Sequence, residues 1–565
     1  MDALTEKPNW NAKIFDDKIV NKWKDEAAAL PDGLLSEKAF EWCIIELRDR
    51  ASDFVKDGFI RTYETESSVI KSDSTIPSEL RDELRKVVEL LLSVEDSEKD
   101  WHPNSNDQVL NLVHPSLYPL VYGQTRVLQT GQVGLLNCLA SSGQGDIAAA
   151  NQTIARTRQG QWLQSSISNE PLWSNRFQWL PAEVKFRNSE DPDDTAVHIT
   201  SYINNLNPSL HQPLYQIIES VIAKSIPLWN QVLLSGHSYL SPRIRTYGAE
   251  LDPAEPPDFG EDPDFTKVRE YLREPDNPDY RPGFAHDEEH DEDDYQSEEA
   301  WLDESAIRWK WIRMRKVLHP EPGISFSYDQ WKRGDTGNEK FRKQGLQVIV
   351  KLSSIELSPE KPEYAGGNWH LEGMRNEHIV ATAIYYYDVE NVSEARLRFR
   401  QESKLDDMNM ENEQDDHQPL SVVFGTEGLS DEPAVQEIGS VATPGDRLLV
   451  FPNALQHKVE PFHLVDPTKK GHRRLLVLWL VDPHYRILST ANVPPQQQEW
   501  AAEAVKHGNV EKLPHELADM ITKEAIAGMM SLEEAKRLRL ELMAERTGFT
   551  NAVENNFETY NFCEH

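Results

Sequence analysis

The chain has 565 residues, 38% of them hydrophobic and 9% aromatic, which is enough apolar surface for a substantial core and excludes wholesale disorder. Lys and Arg total 59 against 95 Asp and Glu, and the net charge of -36 repels phosphate backbones and anionic lipids, so neither nucleic acid nor a membrane is an expected partner. Cys43, Cys138 and Cys563 stand far apart without a C-x-x-C pair, which removes a disulfide framework and a thiolate zinc site. The first residues lack an apolar h-region and no run of about 18 apolar residues occurs, so the expected location is cytoplasmic, with the nucleus left open.

Residues 1–100 read as a helical N-terminal region. EKAFEWCIIELRDRASDFVKDGF sets Phe40, Ile44, Leu47 and Phe54 on one stripe, and PSELRDELRKVVELLLSV is a second amphipathic segment with Ser78 as its expected cap and Glu79 and Asp82 in the first turn. Residues 101–250 form a mixed segment that contributes strands and a long helix to the core. Strand candidates are QWLPAEVKF and TAVHITSYINNL, and PLYQIIESVIAKSIPLWNQVLLS is one helix expected to break or bend at Pro227.

Residues 251–305 are an acidic, proline-rich insertion that cannot bury enough apolar surface to order itself. Its His286 and His290 are either metal ligands among the acids or, more plainly, part of a solvated loop. Within 306–493 the period switches to strands: LQVIVKLSSIEL, HIVATAIYYYD, ARLRFRQ, SVVFG, DRLLVFP and RRLLVLWLV. Many short strands at this spacing point to a sandwich or jelly roll within an α+β chain. KLDDMNMENEQDDHQ, His417 included, reads as a loop, and residues 494–565 return to helix, with Ser531 before Glu533 and Glu534 as the last start. No internal repeat is present.

The chemistry concentrates in GGNWHLEGMRNEHIV, where His370 and Glu372 stand two residues apart and so share one face of a strand. PGDRLLVFPNALQHKVEPF then supplies His457 at the end of another strand. Two histidines and a carboxylate on one face of an octahedron leave three positions open, as Fe(II) oxygenases need for a co-substrate and dioxygen. Alone, an H-x-E pair or a single histidine is more often an ordinary strand residue. What adds weight is GHRRLLVLWLVDPH downstream, because the planar fork of an arginine suits the distal carboxylate of a dicarboxylate such as 2-oxoglutarate. Alternation puts Arg473 with Leu475, Val477 and Trp479, and Arg474 with Leu476, Leu478 and Leu480; both faces are apolar, so the pattern does not choose.

From Gly366 to Trp479 the chain resembles the Fe(II)/2-oxoglutarate-dependent dioxygenases, whose double-stranded β-helix carries H-x-D/E, a distal His and then G-x-R leading to a Trp. Gly471, Arg473 and Trp479 match that last pattern, which ranks Arg473 before Arg474, while Glu372 stands where most of the superfamily has Asp. The resemblance implies a jelly-roll core with helical N- and C-terminal additions, and Fe(II) held by His370, Glu372 and His457. It also implies 2-oxoglutarate bound by Arg473 or Arg474, and oxidation of a small molecule by dioxygen with release of succinate and CO2. DWHPNSNDQVLNLVHPSLYPLVYG, FQWLPAEV and ITSYINNLNP also look like an uncharacterised fungal family known only as a domain of unknown function, over roughly residues 100–500.

Asn368, Trp369, Asn453 and Gln456 are candidates to orient the ligands. Of Tyr385, Tyr386 and Tyr387, Tyr386 is the candidate to donate a hydroxyl to 2-oxoglutarate, with core packing as the plainer role; Tyr202 and Asn205 are pocket or turn residues. Two other readings fit: a non-catalytic jelly-roll binding protein, and a cupin-like metalloenzyme independent of 2-oxoglutarate. No G-x-S-x-G elbow, Walker loop, H-E-x-x-H or Rossmann fingerprint supports a hydrolase, kinase or dehydrogenase.

Overall fold

The computed structural model describes residues 1–29, 35–63, 67–149, 172–187, 194–234, 250–260, 264–278, 280, 304–319, 321, 339–402, 418–424, 433–507, 513–555 and 557. His286, His290, His417 and Cys563 lie outside the described residues.

The strands that matter for the site are, in chain order, β1 (Val69–Ser72), β2 (Val109–Val113), β3 (Ala182–Phe186), β4 (Leu346–Leu357), β5 (Glu363–Tyr364), β6 (Ile379–Glu390), β7 (Arg396–Glu402), β8 (Val435–Ala442), β9 (Leu448–Pro452), β10 (Gln456–Val459), β11 (Phe462–His463) and β12 (Gly471–Val481). Four helices frame them: α1 (Glu37–Asp57), α2 (Ser78–Leu92), α3 (Gln212–Leu234) and α4 (Leu532–Asn555). The chain is α+β, built on a large antiparallel sheet in which β1, β9, β6, β12, β4 and β2 lie side by side in that order, with β3 also on β4.

A smaller sheet runs β8-β7-β10, and β5 pairs with β11 beyond it. The two sheets face each other, since the Phe399 ring of β7 meets the Phe451 ring of β9 edge-on at 5.0 Å. Strands β4, β6 and β12 are apolar on both faces because both are covered. One face packs on α3 through Val348, Val350, Leu352, Leu476, Leu478 and Leu480; the other meets the small sheet and α4 through Val477, Trp479, Phe399 and Leu538.

Local chemistry explains the framing helices. Ser36 caps α1, its hydroxyl accepting from the Ala39 N–H at 3.0 Å, and the expected stripe Phe40, Ile44 and Leu47 is buried. Ser531 likewise accepts from the Glu534 N–H at the start of α4.

Three expectations fail. Ser78 is the first residue of α2, and the cap position is Pro77, which has no side-chain acceptor. The SVVF of SVVFG lies in a helix, Gln418–Phe424, not a strand: a short apolar run carries no period of its own. Helix α3 is not interrupted at Pro227, one of the two outcomes expected there, and Ile222, Ile226, Leu228 and Trp229 are buried against the sheet, so tertiary packing outweighs the lost hydrogen bond. Residues Ile60–Thr62 and β1, inside the region read as helical, extend the large sheet.

Arg447, at the start of β9 and 3% exposed, pairs bidentately with Glu6 at 2.7 and 2.9 Å and with Asp73 at 2.7 Å. It ties the first residues to the sheet. Burial alone would raise the Glu6 pKa, but the bonds from Arg447 and the charge of Lys71 outweigh it and hold the carboxyl below its ordinary value of 4.5. Because the folded pKa is the lower one, the stabilisation is complete above about 4.5 and fades as pH falls below it. Arg447→Ala should cost about 1–3 kcal/mol in chemical denaturation at neutral pH, discounted because both carboxylates keep solvent contact, and the gap to wild type should narrow on acidification.

Candidate metal centre

The segment from Gly366 to Gly373 is drawn against β10 by two positions that only glycine fills easily. Gly366 has φ +90°, and a Cβ there would meet the Val459 carbonyl oxygen at 2.7 Å; Gly373 has φ +69°, and its Cβ would meet Glu377 Oε2 at 2.6 Å. Between them His370 exchanges both backbone hydrogen bonds with His457, at 3.2 and 3.1 Å, which brings their rings to 4.4 Å.

Glu372 completes the cluster. Its Oε1 lies 3.4 Å from His457 Nε2 and 4.0 Å from His370 Nε2, and one ligand atom from each residue falls within 4.8 Å of the others. Metal–nitrogen and metal–oxygen bonds of roughly 2.1 Å put adjacent ligand atoms about 3 Å apart, so small rotations of the side chains close this set on one ion. The donors, two imidazoles and one carboxylate, suit Fe(II) and comparable divalent ions.

The electrostatics favour cation capture. Although 41% of the His370 side chain is accessible, the protein around the ring together with His457 lowers its pKa to about 4, leaving a neutral imidazole at physiological pH. His370 Nδ1 lies 2.8 Å from the Asn368 carbonyl; donation there leaves the Nε2 lone pair free for a metal. Burial works to raise the Glu372 pKa, but the hydrogen bond from His457 and the neighbouring charges prevail and hold it at about 2, so the carboxylate is ionised.

The expected supporting residues play different parts. Asn453 pins Glu372, its Oδ1 accepting from the Glu372 N–H at 2.9 Å and its Nδ2 donating to the carbonyls of Glu372 and Ile379. Gln456 accepts from Arg400 Nε, and the Trp369 ring lies under both Arg400 and Lys458 at 4.6 and 4.5 Å. Asn368 contributes its backbone carbonyl.

The two arginines part company at the sheet. Arg473 points to the inner face, with the triad, and is fully buried, its guanidinium 4.5 Å from the Tyr386 ring and 5.5 Å from the Phe462 ring. One nitrogen donates to the Thr443 hydroxyl, while Nε and Nη1 have no partner among the described residues. Burial lowers the Arg473 pKa, opposed by Tyr386 and Tyr364. Arg474 points to the outer face and is spent on Asp388 at 3.0 Å and Glu89 at 3.3 Å, apart from the triad. Tyr386 thus accompanies Arg473, whereas Tyr385 and Tyr387 turn toward α3. Tyr202 donates to the Val493 carbonyl and Asn205 to those of His114 and Leu117, so their polar groups hold loops together.

A cavity of about 480 Å³ adjoins Glu372, walled by Trp173, His378, Gln456, Phe549 and Phe557. The periodicity of α4 does not reveal that its Phe549 serves a cavity. The inner-facing Lys351 also escaped the sequence reading, although a lone charge inside LQVIVKLSSIEL signals it.

A family model described as "Protein of unknown function (DUF4246)" matches residues 37–504, and its N-terminal companion matches residues 1–26. The chain belongs to the DUF4246 family. Among curated proteins none matches this DUF4246 chain. Solved structures that it resembles include a selenomethionine-labelled Fe(II)/(alpha)ketoglutarate-dependent dioxygenase, TqaL, with a TM-score of 0.16, 14% identity and coverage of 29% of this chain and 55% of that one. Another is a bsmA homolog from Methylobium petroleophilum PM1, with a TM-score of 0.17, 14% identity and coverage of 32% and 61%. The chain thus spans little more than half of either, and at these scores the likeness carries no argument. Among the described residues no helix is long and apolar enough to cross a membrane.

His370→Ala or His457→Ala should abolish stoichiometric metal uptake, measured by elemental analysis of protein reconstituted with Fe(II) under argon. Asn453→Ala, which frees the backbone of Glu372 without touching a ligand, should weaken metal affinity roughly tenfold to a hundredfold in a chelator competition.

Proposed function

We propose that this protein is an Fe(II)- and 2-oxoglutarate-dependent oxygenase acting on a small molecule. The observation that carries the reading is Arg473: a fully buried guanidinium, on the same inner face as the His/Glu/His cluster, with two nitrogens left without partners among the described residues. An unpaired buried cation costs several kcal/mol, and a carboxylate entering between Arg473 and the cluster relieves that cost while matching the planar fork. The strand order supports the same reading. β4-β12-β6-β9 opposite β10-β7-β8, with β5 and β11 paired beyond, is the alternation expected of a double-stranded β-helix.

His370, Glu372 and His457 would hold the iron, and Arg473, Thr443 and Tyr386 would hold the distal carboxylate of 2-oxoglutarate. When bound, iron and 2-oxoglutarate supply the oxidising power, with dioxygen consumed and succinate and CO2 released. The chain's own contribution is positional. The Asn368 carbonyl fixes one tautomer of His370, Asn453 fixes the Glu372 backbone, and the packing of Phe451 against the His457 ring at 4.8 Å fixes its plane. The cavity beside Glu372, with its aromatic residues, would give a substrate a place next to the centre on the Glu372 side.

Anaerobic addition of 2-oxoglutarate to the Fe(II)-loaded protein should produce a visible charge-transfer band, and turnover should release succinate. Arg473→Met should retain iron but raise the 2-oxoglutarate dissociation constant at least roughly thirtyfold. A protein that shows no band and forms no succinate is not this enzyme.

A further inference from the structure

Strand β4 carries one charged residue on its inner face between apolar and small neighbours. Val348, Val350 and Leu352 pack under α3, so Ile349, Lys351, Ser353 and Ile355 point the other way, toward the small sheet. The register locates them. Ile349 pairs with Trp479, Trp479 with Thr382, and Thr382 with Phe451, whose ring lies 4.8 Å from that of His457; this row of the sheet lies at the level of the metal centre. Arg473 pairs with Ile355. Lys351, paired with Val477, therefore sits between the level of the centre and that of Arg473, on the face they share.

Its ammonium is unspent. Among the described residues Lys351 forms no hydrogen bond or ion pair, and it stays partly accessible in mid-strand while Val350 and Leu352 are buried. In the neighbouring row the Thr382 hydroxyl and the Trp479 indole nitrogen also lack partners. Lys351 lies within electrostatic range of Glu372, His370, His102 and His114. Those last two histidines are neutral, desolvation holding His102 at about 4 and His114 well below its ordinary value, and the Arg539 charge is taken by Asp100 at 2.6 Å. The anion that acts on Lys351 is Glu372, which is itself a candidate ligand.

A dication at His370, Glu372 and His457 would consume the Glu372 charge and leave Lys351 facing a net positive centre, a repulsive arrangement in a partly desolvated space unless an anion lies between them. Building on the oxygenase reading, we propose that Lys351 donates a hydrogen bond to the metal-proximal carboxylate of the 2-oxo acid, so that two cations on one sheet face recognise its two ends, Lys351 the proximal and Arg473 the distal. A 2-oxo monocarboxylate then engages Lys351 alone, and the two contacts separate by choice of acid.

The test uses the full-length protein, loaded anaerobically with Fe(II) and titrated with 2-oxoglutarate and, separately, with pyruvate, following the visible charge-transfer band. Lys351→Met should weaken both acids roughly tenfold to a hundredfold, whereas Arg473→Met weakens 2-oxoglutarate and leaves pyruvate within about threefold. Chelator competition without any 2-oxo acid should show Fe(II) bound by Lys351→Met as tightly as by wild type or more so, because a repulsion is gone; a residue needed only for packing would lower it. Lys351→Gln should behave as Lys351→Met does, and Lys351→Arg should restore part of the pyruvate affinity. Unchanged affinity for both acids, loss confined to 2-oxoglutarate, or loss of iron in both neutral variants overturns the assignment while leaving the oxygenase reading intact. A wild-type protein that binds iron yet gives no band with either acid overturns both.

Discussion

The register of β12 is the constraint on which the rest depends. This strand is paired along its length with β4 on one edge and β6 on the other, and both of its faces are apolar. A slip of one residue would exchange the two faces, sending Arg474 into the interior and Arg473 out to Asp388 and Glu89. Nothing in the composition of the two faces forbids that exchange. What forbids it is the sum of paired neighbours: Leu476, Leu478 and Leu480 fit beneath α3, while Trp479 meets Trp179 at 5.0 Å and shares the inner core with Phe399 and Phe451.

Around this strand much of the buried charge is paired, and two cations on the inner face are not. Several buried ionic groups among the described residues are paired: Lys71 with Asp2 and Glu6, Arg539 with Asp100, and Arg546 with Glu377 at 2.6 and 2.8 Å. Pairing offsets the desolvation of each charge and explains how so acidic a chain keeps carboxylates inside. Arg473 and Lys351, both on the inner face opposite the small sheet, lack such partners among the described residues. Their cost is the kind that a bound anion repays.

The regions before and after the strand-rich segment help to complete the centre. Glu377, 1% exposed and four positions beyond Gly373, accepts from the Trp179 and Met374 N–H groups and from Arg546 of α4, so it holds the loop that follows Glu372 to both flanking regions. Arg400 joins Gln456, beside His457, to Glu554 near the end of α4 at 2.6 Å. The same helix supplies Phe549 to the cavity beside Glu372. The walls of this cavity are therefore supplied in part by residues far from Glu372 in sequence.

Much of this was legible in the chain itself, because period-2 alternation and residue chemistry are local properties. β4 coincides with LQVIVKLSSIEL, and the spacing and donor types of His370, Glu372 and His457 single out residues whose atoms lie 3.4 and 4.0 Å apart in the fold. Local pattern failed where it carried no period, as in SVVFG, and where burial overrode propensity, as at Pro227. It was also silent on the choice between Arg473 and Arg474, on the unpaired state of Lys351 and on the part of α4 in the cavity. Those depend on which face of a doubly buried strand meets the helix and which meets the opposing sheet. Only the tertiary structure decides that, because two apolar faces look alike until something packs on each.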